Sequence, residues 1–265
     1  MVGAYPRWVK IGTFMVIGAT ALFMLIPLAV VIGSSLSASE FLVFPPKGLS
    51  FRWYSEVMQS EEYLNAGWVS LKLALITVAI SLFIGTGSAI ALTLFSLPGG
   101  QILSAIFLSP LILPSLIFAI GLLMVFSTYA DGPSFTGLVV GHVVITIPYV
   151  IRTVSAGLSD MDPNIDEASR MMGARWWQRY ILVILPQCKT GMATGAFFVF
   201  NISFDDAVVA LFMRAPDVET LPMRIYSTLE FSPDPSVAAV STIMIGITVI
   251  LIIIMNRLFG LSRII

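Results

Sequence analysis

Val237–Phe259 reads VAAVSTIMIGITVILIIIMNRLF, with no charged residue before Arg257. A helix needs about 20 apolar residues to cross the hydrocarbon core of a bilayer. Lipid offers no partner to a free backbone group, so a run of this kind is helical by default. Five further runs lie upstream: Ile11–Gly33, Val69–Leu94, Ile102–Phe126, Phe135–Val154 and Thr190–Phe212. The chain of 265 residues is 57% hydrophobic and 11% charged, against about 25% charged in an average soluble domain. The alternating pattern of a membrane barrel is absent. The runs predict an all-α membrane protein with six transmembrane helices, forming one transmembrane domain over residues 1–265.

The remaining bulk properties mostly exclude. A net charge of −1 gives no support for a nucleic-acid partner. A single cysteine, Cys188, rules out an internal disulfide, and the single His142 cannot build a histidine metal cluster. The first run follows Arg7 and Lys10 like a signal peptide, but it is about twice the length of a signal h-region. An uncleaved first helix is the expectation. Placing both termini in the cytoplasm puts Arg7, Lys10, Arg152, Arg170, Arg175, Arg179, Lys189, Arg257 and Arg263 inside. Lys47, Arg52, Lys72, Arg214 and Arg224 then fall outside or near the outer surface, which divides the 14 basic residues nine to five. That split satisfies the positive-inside rule. Pro27, Pro110, Pro114 and Pro148 fall inside the runs, where each removes a backbone hydrogen bond and kinks a helix.

One inside connection, about 155–188, is long and patterned. Asp162 is a good N-cap and Pro163 suits the first helical position. Asp166 and Glu167 follow where the helix dipole favours negative charge. Ile165, Ala168, Met172 and Trp176 recur at helical spacing and form one apolar stripe. Gly173 interrupts it and marks a helix end or a close backbone approach. Two surfaces fit such a stripe: the lipid interface, or a groove in a soluble partner.

The order Glu167-Ala168-Ser169, three residues, Gly173, nine residues, Val183, one residue, Leu185-Pro186 resembles the EAA loop of binding-protein-dependent ABC permeases. Ser169 and Val183 depart from the family's Ala and Ile by small changes. The resemblance implies a type I importer permease fold in the bacterial inner membrane. It also implies that the loop is a coupling helix docked on a cytoplasmic ATPase. Glu167, Ala168, Ser169, Met171 and Met172 would then lie at that contact, with Gly173 permitting the turn. The implied partners are two copies of the ATPase, a second homologous permease and a periplasmic substrate-binding protein. ATP and magnesium would sit on the ATPase. This chain has no Walker A loop, and no cofactor is expected on it.

Phe44-Pro45-Pro46-Lys47-Gly48-Leu49-Ser50-Phe51-Arg52-Trp53-Tyr54, Ser203-Phe204-Asp205-Asp206 and Thr220-Leu221-Pro222-Met223 extend the resemblance to spermidine/putrescine-type permeases. That implies a small organic amine as solute, with opines and related compounds also in range.

Asp205 and Asp206 lie in the outer half of the fifth run. A carboxylate in a membrane helix is costly and usually faces a bundle interior or an aqueous path. Adjacent helical positions differ by about 100°, so both cannot face one ligand squarely. The pair is either a cation-attracting site or a structural pair bonded to another helix. His142 is expected to be a helix-packing hydrogen bonder, and Gly85-Thr86-Gly87-Ser88 a close-packing face. Two competing classes are an ion-driven transporter or channel, and an intramembrane enzyme. The first predicts charges spread along a path, and only one acidic pair is present. The second needs a catalytic pair, and His142 and Asp205 are expected at different depths.

Overall fold

The structure is a computed structural model that describes residues 6–259 other than Ser96, Asp160 and Asp217. Arg263, counted above among the inside cations, lies outside the described residues. The elements are α1 (Arg7–Ser35), α2 (Arg52–Gln59), α3 (Glu61–Leu94), α4 (Gly100–Leu108), α5 (Ser115–Tyr129), α6 (Phe135–Ser159) and α7 (Pro163–Met171). They continue as α8 (Trp176–Arg179), α9 (Leu185–Gln187), α10 (Lys189–Asp205), α11 (Val208–Phe212), α12 (Leu221–Phe231) and α13 (Ser236–Phe259). The only β pairing among the described residues is two isolated bridges.

Four helices are long and apolar enough to cross a membrane unbroken: α1, α3, α6 and α13. Two bent helix pairs bring the number of crossings to six if each is one span. A kink was expected at Pro110 and Pro114 in the third run, and the break there is sharper than a kink. In the third run, Ser109–Leu111 tightens to a 3₁₀ turn and Pro114 caps α5, so the two halves meet at 101°. Pro114 has no N–H to continue the preceding helix, and it disfavours helical backbone at Leu113 before it. The second pair bends by 66° at Cys188, just ahead of the fifth run, where α9 gives way to α10. The fifth run itself stops at Asp206 before α11 begins. Pro27 and Pro148, by contrast, sit inside continuous helices.

The chain packs as two compact units. Among the described residues, one holds 6–61 and Ser227–Ile247; the other holds Glu62–Tyr226 and 248–259. In the first, the Phe44–Gly48 turn folds back on the end of α1. Ser37 is its centre: its hydroxyl accepts from the backbone N–H groups of Ser39 and Lys47, each at 3.2 Å. Its carbonyl accepts from Trp53 Nε1 at 3.0 Å.

The second unit is organised by α6 and α10. A Cβ added at Gly191 would lie 2.5 Å from the carbonyl oxygen of Thr153, and one at Gly195 would lie 3.2 Å from Val150 Cα. The backbones of the two helices therefore touch, which the small-xxx-small spacing of Gly191 and Gly195 permits. One apolar cluster joins Leu138, Val143, Val209 and Met213. A second joins Ile90, Val150, Val154, Ile184 and Val199. Many large apolar side chains remain exposed, including Phe83 at 84% and Ile112 at 84%, as expected of faces turned to lipid or to neighbouring helices.

Candidate functional site

The loop between α6 and α10 is a folded unit. Asp162 caps α7, its carboxylate accepting from Asn164 N at 3.0 Å. At the other end Gly173 has φ +78°, the left-handed region that a Cβ disfavours. Its N–H donates to Arg170 O (2.9 Å), and the Ala174 N–H donates to Ser169 O (3.1 Å). This is a Schellman closure, which satisfies the last carbonyls of α7 and reverses the chain. The stripe expected to run on to Trp176 therefore ends at Met172. Trp176 begins a separate short helix, started by Arg175 N donating to Gln178 Oε1 at 2.7 Å.

Asp166 joins the two helices. Arg179 donates from Nε and Nη2 to Oδ1 (2.9 and 2.6 Å) and from Nη2 to Oδ2 (2.6 Å). Arg170 adds a bond at 3.0 Å. The Asp166 and Arg179 side chains are each only 18% exposed. Burial alone would push the Asp166 carboxyl up, but the hydrogen bonds and charges of Arg179 and Arg170 outweigh it and hold it below its ordinary value. At the level of sequence Asp166 has only a dipole role. Arg179 is thirteen residues away, and the two meet only because Gly173 turns the chain.

This clamp leaves the tip of the loop bare. Met171 is 90% exposed and Met172 83% exposed. Glu167, Ala168 and Gly173 are also exposed. Ser169 lies beneath that surface: it is buried, and its hydroxyl donates to Asp166 O at 2.7 Å.

The second group lies at the break in the fifth run. Asp206 Oδ2 accepts from the backbone N–H groups of Val209 (2.8 Å) and Ala210 (3.3 Å), capping α11. His142 Nδ1 bonds Ser203 Oγ at 2.9 Å, and His142 Nε2 stands 3.7 Å from Asp206 Oδ2. His142 and the acidic pair thus share one depth, contrary to the depth expected from sequence. Both runs were entered from opposite sides, so an early residue of one meets a late residue of the other. Ser203, His142 and Asp206 are the residue types of a hydrolase triad, but 3.7 Å is beyond hydrogen-bond reach. His142 and Ser203 are also fully enclosed, so no substrate reaches the hydroxyl. His142 is a packing hydrogen bonder. Asp205, by contrast, is exposed. Of the glycines expected to pack closely, Gly85 does so against Val150, while Gly87 has open space around it.

Residues 81–262 match the family described as binding-protein-dependent transport system inner membrane component. The chain belongs to that family. It is a permease subunit of an ABC importer. Among curated relatives, the spermidine/putrescine transport system permease protein PotC of Escherichia coli is 29% identical over 231 residues, covering 87% of each chain. The putrescine transport system permease protein PotI of the same organism is 28% identical, covering 84% of this chain and 82% of its own. Among solved structures, a bacterial ABC transporter involved in importing the acidic polysaccharide alginate superposes with a TM-score of 0.66 at 18% identity, over 97% of this chain and all of that one. A second structure, of the bacterial alginate transporter with its periplasmic protein, gives 0.71 at 14% identity, over 97% of both chains. These structures share the permease fold.

Proposed function

We propose that this permease works by ATP-driven alternating access and carries a small organic amine, of the polyamine or opine kind, into the cytoplasm. The observation that carries the coupling half is the clamped loop with its bare methionine tip. An exposed pair of flexible, polarisable side chains on a rigid base suits docking into an irregular groove. Glu167, Ala168, Met171 and Met172 would make that contact, with Ser169 packing behind them. The receiving partner is one of two cytoplasmic ABC ATPases holding ATP and magnesium, and no catalytic step falls to this chain. A second permease completes the pore. A periplasmic binding protein delivers solute on the side of the Phe44–Gly48 turn, with both termini of this chain in the cytoplasm. The amine half is supported by the names of the two curated relatives.

Closure of the ATPases would push the tip, and the spans would follow. A ligand or partner shifts such an equilibrium only through different contact energy in the two states. Met172→Glu puts a charge into that contact without touching the Asp166 clamp. In the reconstituted importer it should abolish uptake and binding-protein-stimulated ATP hydrolysis at unchanged assembly in the membrane. Full uptake and full stimulation in this variant would sink the docking role.

A further inference from the structure

The break at Asp206 divides the acidic pair, and the two carboxylates have different surroundings. Asp206 is committed to two backbone N–H groups and stands beside His142. Asp205 is the last residue of α10 and is exposed. The end of an α-helix carries a partial negative charge of about half a unit from its unsatisfied carbonyls, and the last turn of α10 holds no basic residue to offset it. Asp205 therefore adds a full negative charge to a terminus that is already negative. Helix C-termini at breaks within membrane spans suit cations for this reason.

The same face continues inward. Residues seven apart on a helix lie on one side, about 10 Å along the axis. Seven residues before Asp205 is Phe198, 41% exposed. Its ring lies 6.1 Å from that of Tyr149 on α6, centroid to centroid. Between them is Asn201, whose amide nitrogen donates to Phe197 O at 2.8 Å. That bond turns the amide nitrogen to the backbone and leaves the oxygen as the acceptor. Along one face run a carboxylate, an amide oxygen and a pair of aromatic rings.

Building on the amine reading above, we infer that Asp205, Asn201, Phe198 and Tyr149 form a binding track for an elongated organic cation, with Asp206 excluded from it. A carboxylate pairs with one ammonium and the amide oxygen accepts from its N–H. The aromatic faces attract a second cationic end by cation–π interaction. The spacing of about 10 Å favours a chain with two separated ammonium groups over a compact monoamine.

The test uses the complete importer, reconstituted in liposomes with its ATPase and binding protein. Uptake of labelled putrescine and spermidine is measured per ATP hydrolysed. Asp205→Asn should cut uptake per ATP at least tenfold while stimulated hydrolysis persists, and Asp205→Glu should restore most of it. Phe198→Ala should weaken spermidine uptake several-fold more than Asp205→Glu does. Wild-type uptake per ATP in Asp205→Asn would overturn the track and leave the amine reading standing. If the wild-type importer moves neither amine, the amine reading falls and the track with it. A compact monoamine carried as well as putrescine and spermidine would refute the two-point arrangement.

Discussion

Gly191→Ala tests the helix contact on which the second unit is built. The new Cβ would stand 2.5 Å from Thr153 O, 2.9 Å from Val154 Cα and 3.0 Å from Thr153 C. Ordinary van der Waals contact begins at 3.4 Å, so α10 must retreat by 3.4 − 2.5, or 0.9 Å. The obstacle is backbone, which cannot rotate aside. Overpacking of this kind costs about 1–3 kcal/mol, offset by up to about 1 kcal/mol of helix propensity gained on replacing Gly. The net is a loss of roughly 0–2 kcal/mol. Gly87→Ala is the control, because nothing lies within 4 Å of its Cβ. It should gain up to about 1 kcal/mol. The two variants should therefore differ by about 1–3 kcal/mol, or roughly 2–12 °C in thermal midpoint for a chain of this size. The assay is thermal unfolding of each purified variant in the same mild detergent. If Gly191→Ala melts at or above Gly87→Ala, the close approach of α6 and α10 does not exist as described.

Exchanging the clamp, Asp166→Arg with Arg179→Asp, should recover much of the coupling lost by either single change; a double-mutant cycle of uptake per ATP should give an interaction of about 1.5–3 kcal/mol, the range for hydrogen bonds to charged groups. The Asp166 carboxyl is held below its ordinary 3.8, so its contribution to loop stability is full above that value and drains as pH falls through the lower folded value. Fluorescence of a variant keeping only Trp176 and Trp177 should stay native on acidification to 3.8 and change only below it. Gly173→Ala meets no atom within 4 Å, so its cost is the positive φ alone, about 1–2 kcal/mol; proteolysis of the loop should rise accordingly, and rise less for Gly173→Asn. Asp206→Ala removes the α11 cap and should cost about 0.5–2 kcal/mol in a detergent melt, whereas Asp205→Ala should leave the melt within about 0.5 kcal/mol of wild type.

Much of this was legible in the chain. Apolar run length located α1, α3, α6 and α13, because lipid leaves the backbone no choice but a helix. The Asp162 cap and the Gly173 stop were also readable, since capping chemistry is local. The two breaks were harder. Pro114 was visible, but a proline in a membrane span either kinks or ends a helix depending on its neighbours, as Pro148 inside α6 shows. No proline or glycine marks the stop at Asp206; the signal was an acid in an apolar run, whose capping role competes with a ligand role. Gly191 and Gly195 carry a small-xxx-small spacing, a packing signal in the sequence that sets them apart from Gly85 and Gly87. The Asp166–Arg179 clamp could not be read at all until the turn between them was known.

The loop tip is attached to the membrane portion at two places, through α6 on one side and through α9 and α10 on the other. Those two helices are in turn pressed backbone to backbone at Gly191 and Gly195. The two legs are therefore joined twice, by the Asp166–Arg179 clamp near the tip and by the glycine contact beyond it, as in a braced frame. On the proposed docking role, force applied at Met171 and Met172 would be shared by both legs and arrive as a tilt of the pair. Such a frame transmits small displacements faithfully. It is also intolerant: a single loosened corner lets the tip move while the legs stand still.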